Sequence, residues 1–410
     1  MLTPRAPTKR YEQRKRAILA SAVEVLNRKG VRGMTLADVA AGLNLVPTGV
    51  IYYYKSKEEL ASACFLEGIG EFNRLSAAAE GAATAREGLA RFIRAYFDFR
   101  RREATGEAEA IAMFNDVRGL NAPIVNAAYI DMYRGVRGVL AGPETRALSR
   151  GEWNVRGYLL LSEAGWTSVW LRDLNPEDYE RAGERMLSIL SDGLGTAGAV
   201  WVPKPLPKLL PEPAGGAEIS QETFLRAATE LMNEEGYVGA SVEKISARLN
   251  VTKGAFYHHN DTKDDLIVAC FDRTAEVMRR AIRQAEAASE NGYQTLATLA
   301  AGLVAHQMSG GAPLLRASAV SSAPEAMQPR LLAQFAGVSS RIASILCDAI
   351  ADGSVRPVDV NVAGRMITGM INASAELRFF APELSAERAV EIYVRPLFEG
   401  LLSPPAALAA

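Results

Sequence analysis

With 410 residues, 49% of them apolar and 23% charged, the chain is too long for one small core and too apolar for disorder, so several packed domains are expected. Its 46 Lys plus Arg nearly cancel its 47 Asp plus Glu, which excludes a global pull on nucleic acid or membrane and leaves such affinity to local patches. The three cysteines, Cys64, Cys270 and Cys347, are far apart and lack zinc-ligand spacing, which excludes a disulfide framework or a metal site and fits a reducing cytoplasm.

The chain begins with a basic arm containing Arg5, Lys9, Arg10, Arg14, Lys15 and Arg16. Neither the apolar run nor the cleavage site of a signal peptide follows it, and no apolar stretch approaches the roughly 20 residues that span a bilayer, so a soluble cytoplasmic protein is expected. Such an arm either lies along phosphates, or in a minor groove, or extends into solvent as a tail. Ile18, Ala22, Val25 and Leu26 then recur at helical spacing ahead of Gly30, a C-cap. Thr35 caps a short helix whose Leu36, Val39, Ala40 and Leu43 share one face. Asn44 and Leu45 turn the chain, and a second short helix runs from Pro47 to Tyr53. Two short helices joined by a tight turn behind a longer one make a helix-turn-helix, whose second member presents its N-terminal residues to a major groove. Ser56 and Glu59 form a capping box for the next helix, and Lys57 at its start suits a backbone phosphate.

The same periodicity continues, and the first half reads as nine helices at about 10–29, 36–43, 47–53, 57–80, 85–103, 107–117, 121–141, 150–172 and 176–194. Between residues 73 and 195 stand 12 aromatics, against 6 between 279 and 402, so a ligand pocket is expected in the first half. Phe92, Tyr96, Phe114, Tyr129, Tyr133, Trp166 and Trp170, with Met113, would suit a flat apolar or aromatic ligand, and Arg156 or Glu163 would anchor it; core packing is the alternative for each. Gly193 to Gly198 spell G-x-G-x-x-G, but a helix precedes them and the chain then enters a proline-rich stretch. They read as a helix cap and flexible chain, not a dinucleotide site, and no cofactor or enzymatic activity is expected. Residues 196–218 read as a linker whose prolines favour polyproline II, at about 3.1 Å per residue.

Beyond it the chain repeats itself. Residues 17–66 fall on 223–272 without a gap at an offset of 206, pairing Asn27 with Asn233, Gly30 with Gly236, Leu43 with Leu249, Asn44 with Asn250, Cys64 with Cys270 and Phe65 with Phe271. Near the ends of the copies, Gly193-Leu194 falls on Gly400-Leu401 at 207. The domains expected are 1–56 and 219–262 as helix-turn-helix units, with 57–195 and 263–403 as larger helical domains.

The order of parts from Leu45 to Leu60, and again from Val251 to Leu266, closely resembles the TetR family of one-component transcriptional repressors. The resemblance implies an all-α fold of two tandem TetR-like units, each a three-helix DNA-binding domain followed by a ligand-binding and dimerisation domain. It implies that Val46, Pro47, Thr48, Tyr52 and Tyr53 face DNA, with Thr35 and Lys57 on phosphates. In the second copy the matching positions are Thr252, Lys253, Gly254, His258, His259, Ser241 and Lys263, with Tyr257 beside them. Asn260 departs from the pattern, standing where the first copy has Tyr54. Charge separates the copies further: residues 1–60 hold 11 Lys plus Arg and 5 Asp plus Glu, net +6, and 207–266 hold 6 and 10, net −4. The first copy is therefore expected to dominate affinity for double-stranded operator DNA. In this family a small-molecule effector releases DNA and the last two helices of each copy pair. Here the copies would pair within one chain as a pseudo-dimer, or two chains would associate as a homodimer. A receptor whose second or both heads no longer bind DNA is the rival reading.

Overall fold

A computed structural model describes residues 8–210, 220–259, 262–309, 313–317, 319–320, 323–324 and 326–406. The fold is all-α, and among the described residues the strand-like pairing is an isolated bridge between Gly195 and Val355. Arg5 of the arm, residues 211–218 of the linker and Asn260 lie outside the described residues.

Local signals start and stop the helices of the first half. The Thr8 hydroxyl accepts from the Tyr11 N–H at 3.3 Å and opens α1 (Lys9–Gly33), in which Gly30 breaks helical geometry at φ +68°. Thr35 opens α2 (Leu36–Ala41) by accepting from the Asp38 N–H at 3.1 Å, and Pro47 occupies the first turn of α3 (Pro47–Ile51), where its missing N–H costs nothing. Ser56 accepts from the Glu59 N–H at 3.1 Å at the head of α4 (Lys57–Ala77). Next come α5 (Ala85–Ala104), α6 (Pro123–Gly138), α7 (Arg150–Trp170), started by a reciprocal Ser149–Glu152 capping box, and α8 (Tyr179–Asp192).

The helix expected over 107–117 does not form. Residues 109–113 run without helical hydrogen bonds and a 3-10 helix follows at Phe114–Leu120. The side chain of Asn27 on α1 is the cause: its amide donates to the Ile111 carbonyl at 2.9 Å and accepts from the Met113 N–H at 2.8 Å, taking backbone groups that a helix would need.

The second half repeats the plan with α9 (Gln221–Gly239), α10 (Val242–Arg248), α11 (Lys253–His259), α12 (Lys263–Ala288), α13 (Gly292–Met308), α14 (Gln328–Ala351) and α15 (Val360–Ala373). It ends in a C-terminal helical run of Ala386–Ala389, a π-helical Val390–Val394 and Arg395–Glu399. The repetition reaches atomic detail. Asn44 and Asn250 both turn at φ +54°, Gly236 sits at φ +70° where Gly30 is at +68°, and Asn233 staples Leu314 and Arg316 as Asn27 staples Ile111 and Met113. Cys64 and Cys270 are both buried beneath their heads, where burial pushes each thiol up to about 12.

The halves pack on one another through α7 and α8 on one side and α15 with the C-terminal run on the other. Gly193 (φ +69°) and Gly400 (φ +95°) cross there: a Cβ on the first would stand 2.2 Å from the Phe398 carbonyl oxygen, and on the second 2.4 Å from that of Ser191. Leu194 N–H donates to Phe398 O at 2.8 Å, and Leu401 N–H to Leu190 O at 2.7 Å. Each half thus offers the other nearly the same surface. Arg156, almost fully buried, donates to the carbonyls of Leu401 (2.8 Å), Ser403 (2.5 Å) and Pro404 (3.0 Å), and Glu152 accepts from the Ala406 N–H at 2.9 Å. The described part of the linker is seated on the second half: Lys204 N–H donates to the Thr298 hydroxyl at 3.0 Å, and Arg280 donates to Leu209 O at 3.1 Å. Among the described residues no helix is long and apolar enough to cross a membrane.

Candidate functional site: two heads and a shared cavity

In the first head the α2–turn–α3 unit stands on α1, held by a core that includes Ile18, Ala22, Val39 and Val50. The burial of Val50 points the opposite face of α3 outward, leaving Val46, Pro47 and Thr48 exposed at its start. Tyr52 is 73% exposed and Tyr53 half-buried, while Tyr54 is 5% exposed and packs inside, where burial pushes its hydroxyl up to about 12. Tyr11 of α1 gathers the two outward rings, its centroid 6.1 Å from Tyr52 and 4.8 Å from Tyr53, so these side chains are held in place before any partner arrives. Arg10 is exposed and Arg14 and Lys15 half-exposed on α1, with the Lys15 ammonium 5.5 Å from the Tyr54 ring centre, and none of the three joins an ion pair among the described residues. Thr35 is exposed, and Lys57 donates to the Arg32 carbonyl at 3.0 Å.

The second head keeps the geometry with different electrostatics. Thr252, Lys253 and Gly254 are exposed at the start of α11, with Tyr257 (55% exposed) and His258 following; His259 lies on the same helix. Ser241 caps α10, accepting from the Lys244 N–H at 3.3 Å, and Lys263 is half-buried, where burial lowers the pKa of its ammonium. The cations end on acids: Lys253 pairs with Glu243, Lys244 with Glu235, and Arg248 with Glu234 at 2.8 Å. The Lys253 ammonium holds the Glu243 carboxyl down at about 2. Glu235 also receives Arg32 of the first head, so the heads touch through an ion pair.

Behind the heads lies a cavity of about 600 Å³. It brings together Tyr96, Met113, Phe114, Tyr129 and Trp166 of the residues expected to contact a ligand. Phe92 is in the core, its ring 6.3 Å from that of Tyr96. Tyr133 donates to the Asn154 carbonyl, and its ring stands 4.9 Å from Phe380 of the second half. Arg156, expected as a polar anchor, stands away from the cavity because its donors are spent on the second half's carbonyls; burial pulls its pKa down to about 10. Glu163 is likewise elsewhere, fully buried on α7, its Oε1 without a hydrogen-bond partner among the described residues, and burial raises its carboxyl well above the usual range. Trp170 lines an adjoining groove of about 450 Å³ between α7 and α14, which shares Trp166, Val169, Arg172 and Leu332 with the cavity.

The far wall, which was not among the expected ligand contacts, belongs to the second half and includes Arg316, Ala317, Gly369, Asn372 and Glu376. Arg316 pairs with Glu376, as Arg100 on the near wall pairs with Glu103 at 2.7 Å. No periodicity within one copy signals a wall supplied by the other. In the second half an offset of 206 places Thr274 and Met278 where Gly68 and Phe72 stand in the first, and among the described residues crevices of about 10 Å³ lie beside them. Among the described residues no cluster of His, Cys, Asp and Glu is arranged to hold a metal ion.

Comparison with known proteins matches the family described as bacterial regulatory proteins, tetR family, at residues 18–64 and again at 224–270. The Transposon Tn10 TetC protein of Escherichia coli is 42% identical over 50 residues, 12% of this chain and 25% of that protein, so the chain spans a quarter of this curated relative. Among solved structures, apo AibR aligns at 21% identity over 45% of this chain and 99% of its own, with a TM-score of 0.37. PfmR of Thermus thermophilus, a TetR family transcriptional regulator, aligns at 22% identity over 43% and 98%, also with a TM-score of 0.37.

Proposed function

From a chain that carries two tandem TetR-like units, each headed by a helix-turn-helix DNA-binding domain, we propose a cytoplasmic transcriptional repressor that a small aromatic or apolar effector releases from its operator. The observation that carries this reading is the first head: Tyr52 and Tyr53, pre-positioned on Tyr11, stand beside the basic face of Arg10, Arg14 and Lys15. Phosphate contacts from such a face set the register, and the exposed start of α3 reads base edges. Tyr257, His258 and Lys253 form the second reading head, whose ion pairs weaken it. The reciprocal crossing of Gly193 and Gly400 supports pairing of the halves within one chain, so that a single chain presents two unlike heads to an asymmetric operator. Effector binding favours an arrangement whose heads no longer match successive major grooves.

Selection of bound duplexes from fragmented genomic DNA, followed by titration at several salt concentrations, tests this. Affinity for the selected duplexes should fall steeply with salt, as phosphate contacts require. An absence of salt-sensitive binding by either head would favour the second reading, a small-molecule receptor without DNA recognition, for which the acid-paired cations of the second head already speak.

A further inference from the structure

We propose that one flat aromatic anion per chain binds in the cavity shared by the halves and acts on both heads at once, through Asn27 in the first half and Asn233 in the second. The proposal rests on the regulator reading above and adds the number of effectors, their class and their route to the heads.

The route is a matched pair of staples. Asn27 on α1 holds the backbone of Ile111 and Met113, and both residues line the cavity. Asn233 on α9 donates to Leu314 O and accepts from the Arg316 N–H, each at 2.9 Å, and Arg316 and Ala317 line the same cavity. A molecule seated there touches both stapled segments. Each staple exchanges two hydrogen bonds between one half-buried amide and one loop, so a loop cannot shift without carrying its head helix or leaving polar groups to find other partners. The second loop is further tied to its own half, Ala317 N–H donating to Asn372 Oδ1 at 2.8 Å.

The expectation of one site per chain rests on continuity of the space: the shared cavity of about 600 Å³ falls within the range of small-molecule sites and joins the groove of about 450 Å³ through Trp166, Val169, Arg172 and Leu332, whereas the crevices beside Thr274 and Met278 are about 10 Å³. The ligand class follows from the walls. Phe72, Tyr96, Phe114 and Trp166 offer ring faces and edges to a flat body. Arg100 and Arg316 already face carboxylates, whereas Arg172, at the junction with the adjoining groove, uses its Nε on the Val169 carbonyl at 2.9 Å and joins no ion pair among the described residues. An anionic group on the ligand belongs there.

The test uses 1-anilinonaphthalene-8-sulfonate, an aromatic sulfonate, with the full chain. Fluorescence titration should give one saturable site per chain, with energy transfer from tryptophan that falls in Trp166→Phe. A Cβ at Gly165 on the cavity wall meets nothing within 4 Å, so the side chain of Gly165→Leu starts in open space and should weaken binding at least tenfold; Ser168→Phe fills the cavity independently. Hydrogen exchange should change on dye binding in both 9–33 and 221–239. In Asn233→Ala the change in 221–239 should vanish, with dye affinity held within twofold and the 9–33 response kept. Two sites per chain, no saturable site, binding indifferent to both filling variants, or a response confined to the first half would overturn the proposal. A chain that gives the expected dye results but binds no DNA sinks the regulator reading alone.

Discussion

In the first head Arg10, Arg14 and Lys15 stand on α1 outside any ion pair among the described residues, while in the second Lys244, Arg248 and Lys253 end on Glu235, Glu234 and Glu243. The backbones match down to the φ of Asn44 and Asn250. Geometry and charge have therefore diverged separately: a head can keep its turn, caps and exposed start of the recognition helix while its cations are turned inward on neighbouring acids. Such surface pairs add little to stability, yet every phosphate contact must first break one and then approach an acidic surface.

The largest test of that contrast is a pair of double variants in a salt-controlled binding assay. Tyr52→Ala with Lys57→Ala should cost roughly 100-fold in operator affinity, from about 1–3 kcal/mol per contact. Tyr257→Ala with Lys263→Ala should cost less than about threefold, and equal losses would erase the asymmetry. Next comes a gain: Glu230→Gln, Glu234→Gln and Glu243→Gln together free Arg248 and Lys253, and should tighten DNA binding up to roughly tenfold with a steeper salt slope. An unchanged slope would mean that the second head does not approach DNA.

Buried charge offers a third contrast, read by urea unfolding across pH. Burial raises the Glu163 carboxyl well above the ordinary value of 4.5, near which the unfolded chain ionises it. Above that pH the folded state binds the extra proton, so stability is full below 4.5 and declines as pH rises toward the raised value. The slope from this group is at most about 1.4 kcal/mol per pH unit, and Glu163→Gln should remove it. The smallest effect belongs to the contact between heads: Arg32→Ala removes an exposed pair with Glu235 and should change stability by less than about 1 kcal/mol. A larger loss would mean that the heads depend on each other to fold.

What was legible in the sequence was local. Thr35, Asn44, Ser56 and Pro47 each act within four residues of themselves, and the repeat doubled every such signal. Distant partners were not legible. Asn27 meets Ile111 across 84 residues and prevents the helix that periodicity suggests over 107–117. The aromatic richness of the first half did not separate its rings, because core, boundary and cavity rings carry the same apolar signature: Tyr96 lines the cavity, Phe92 packs in the core and the Tyr133 ring meets Phe380 of the second half. Arg156 looked like a ligand anchor because its partners are main-chain carbonyls, which no residue type announces.

Those partners also set an order in time. Arg156 and the Leu401 carbonyl that receives it are 245 residues apart, which at about 5–20 residues per second is a delay of roughly 10–50 s during synthesis. For that interval the apolar side of α7 and α8 has left the ribosome without its cover. A neighbouring nascent chain on the same message, a few codons behind, exposes the same side during an overlapping interval, and two first halves joined there would leave their own second halves stranded.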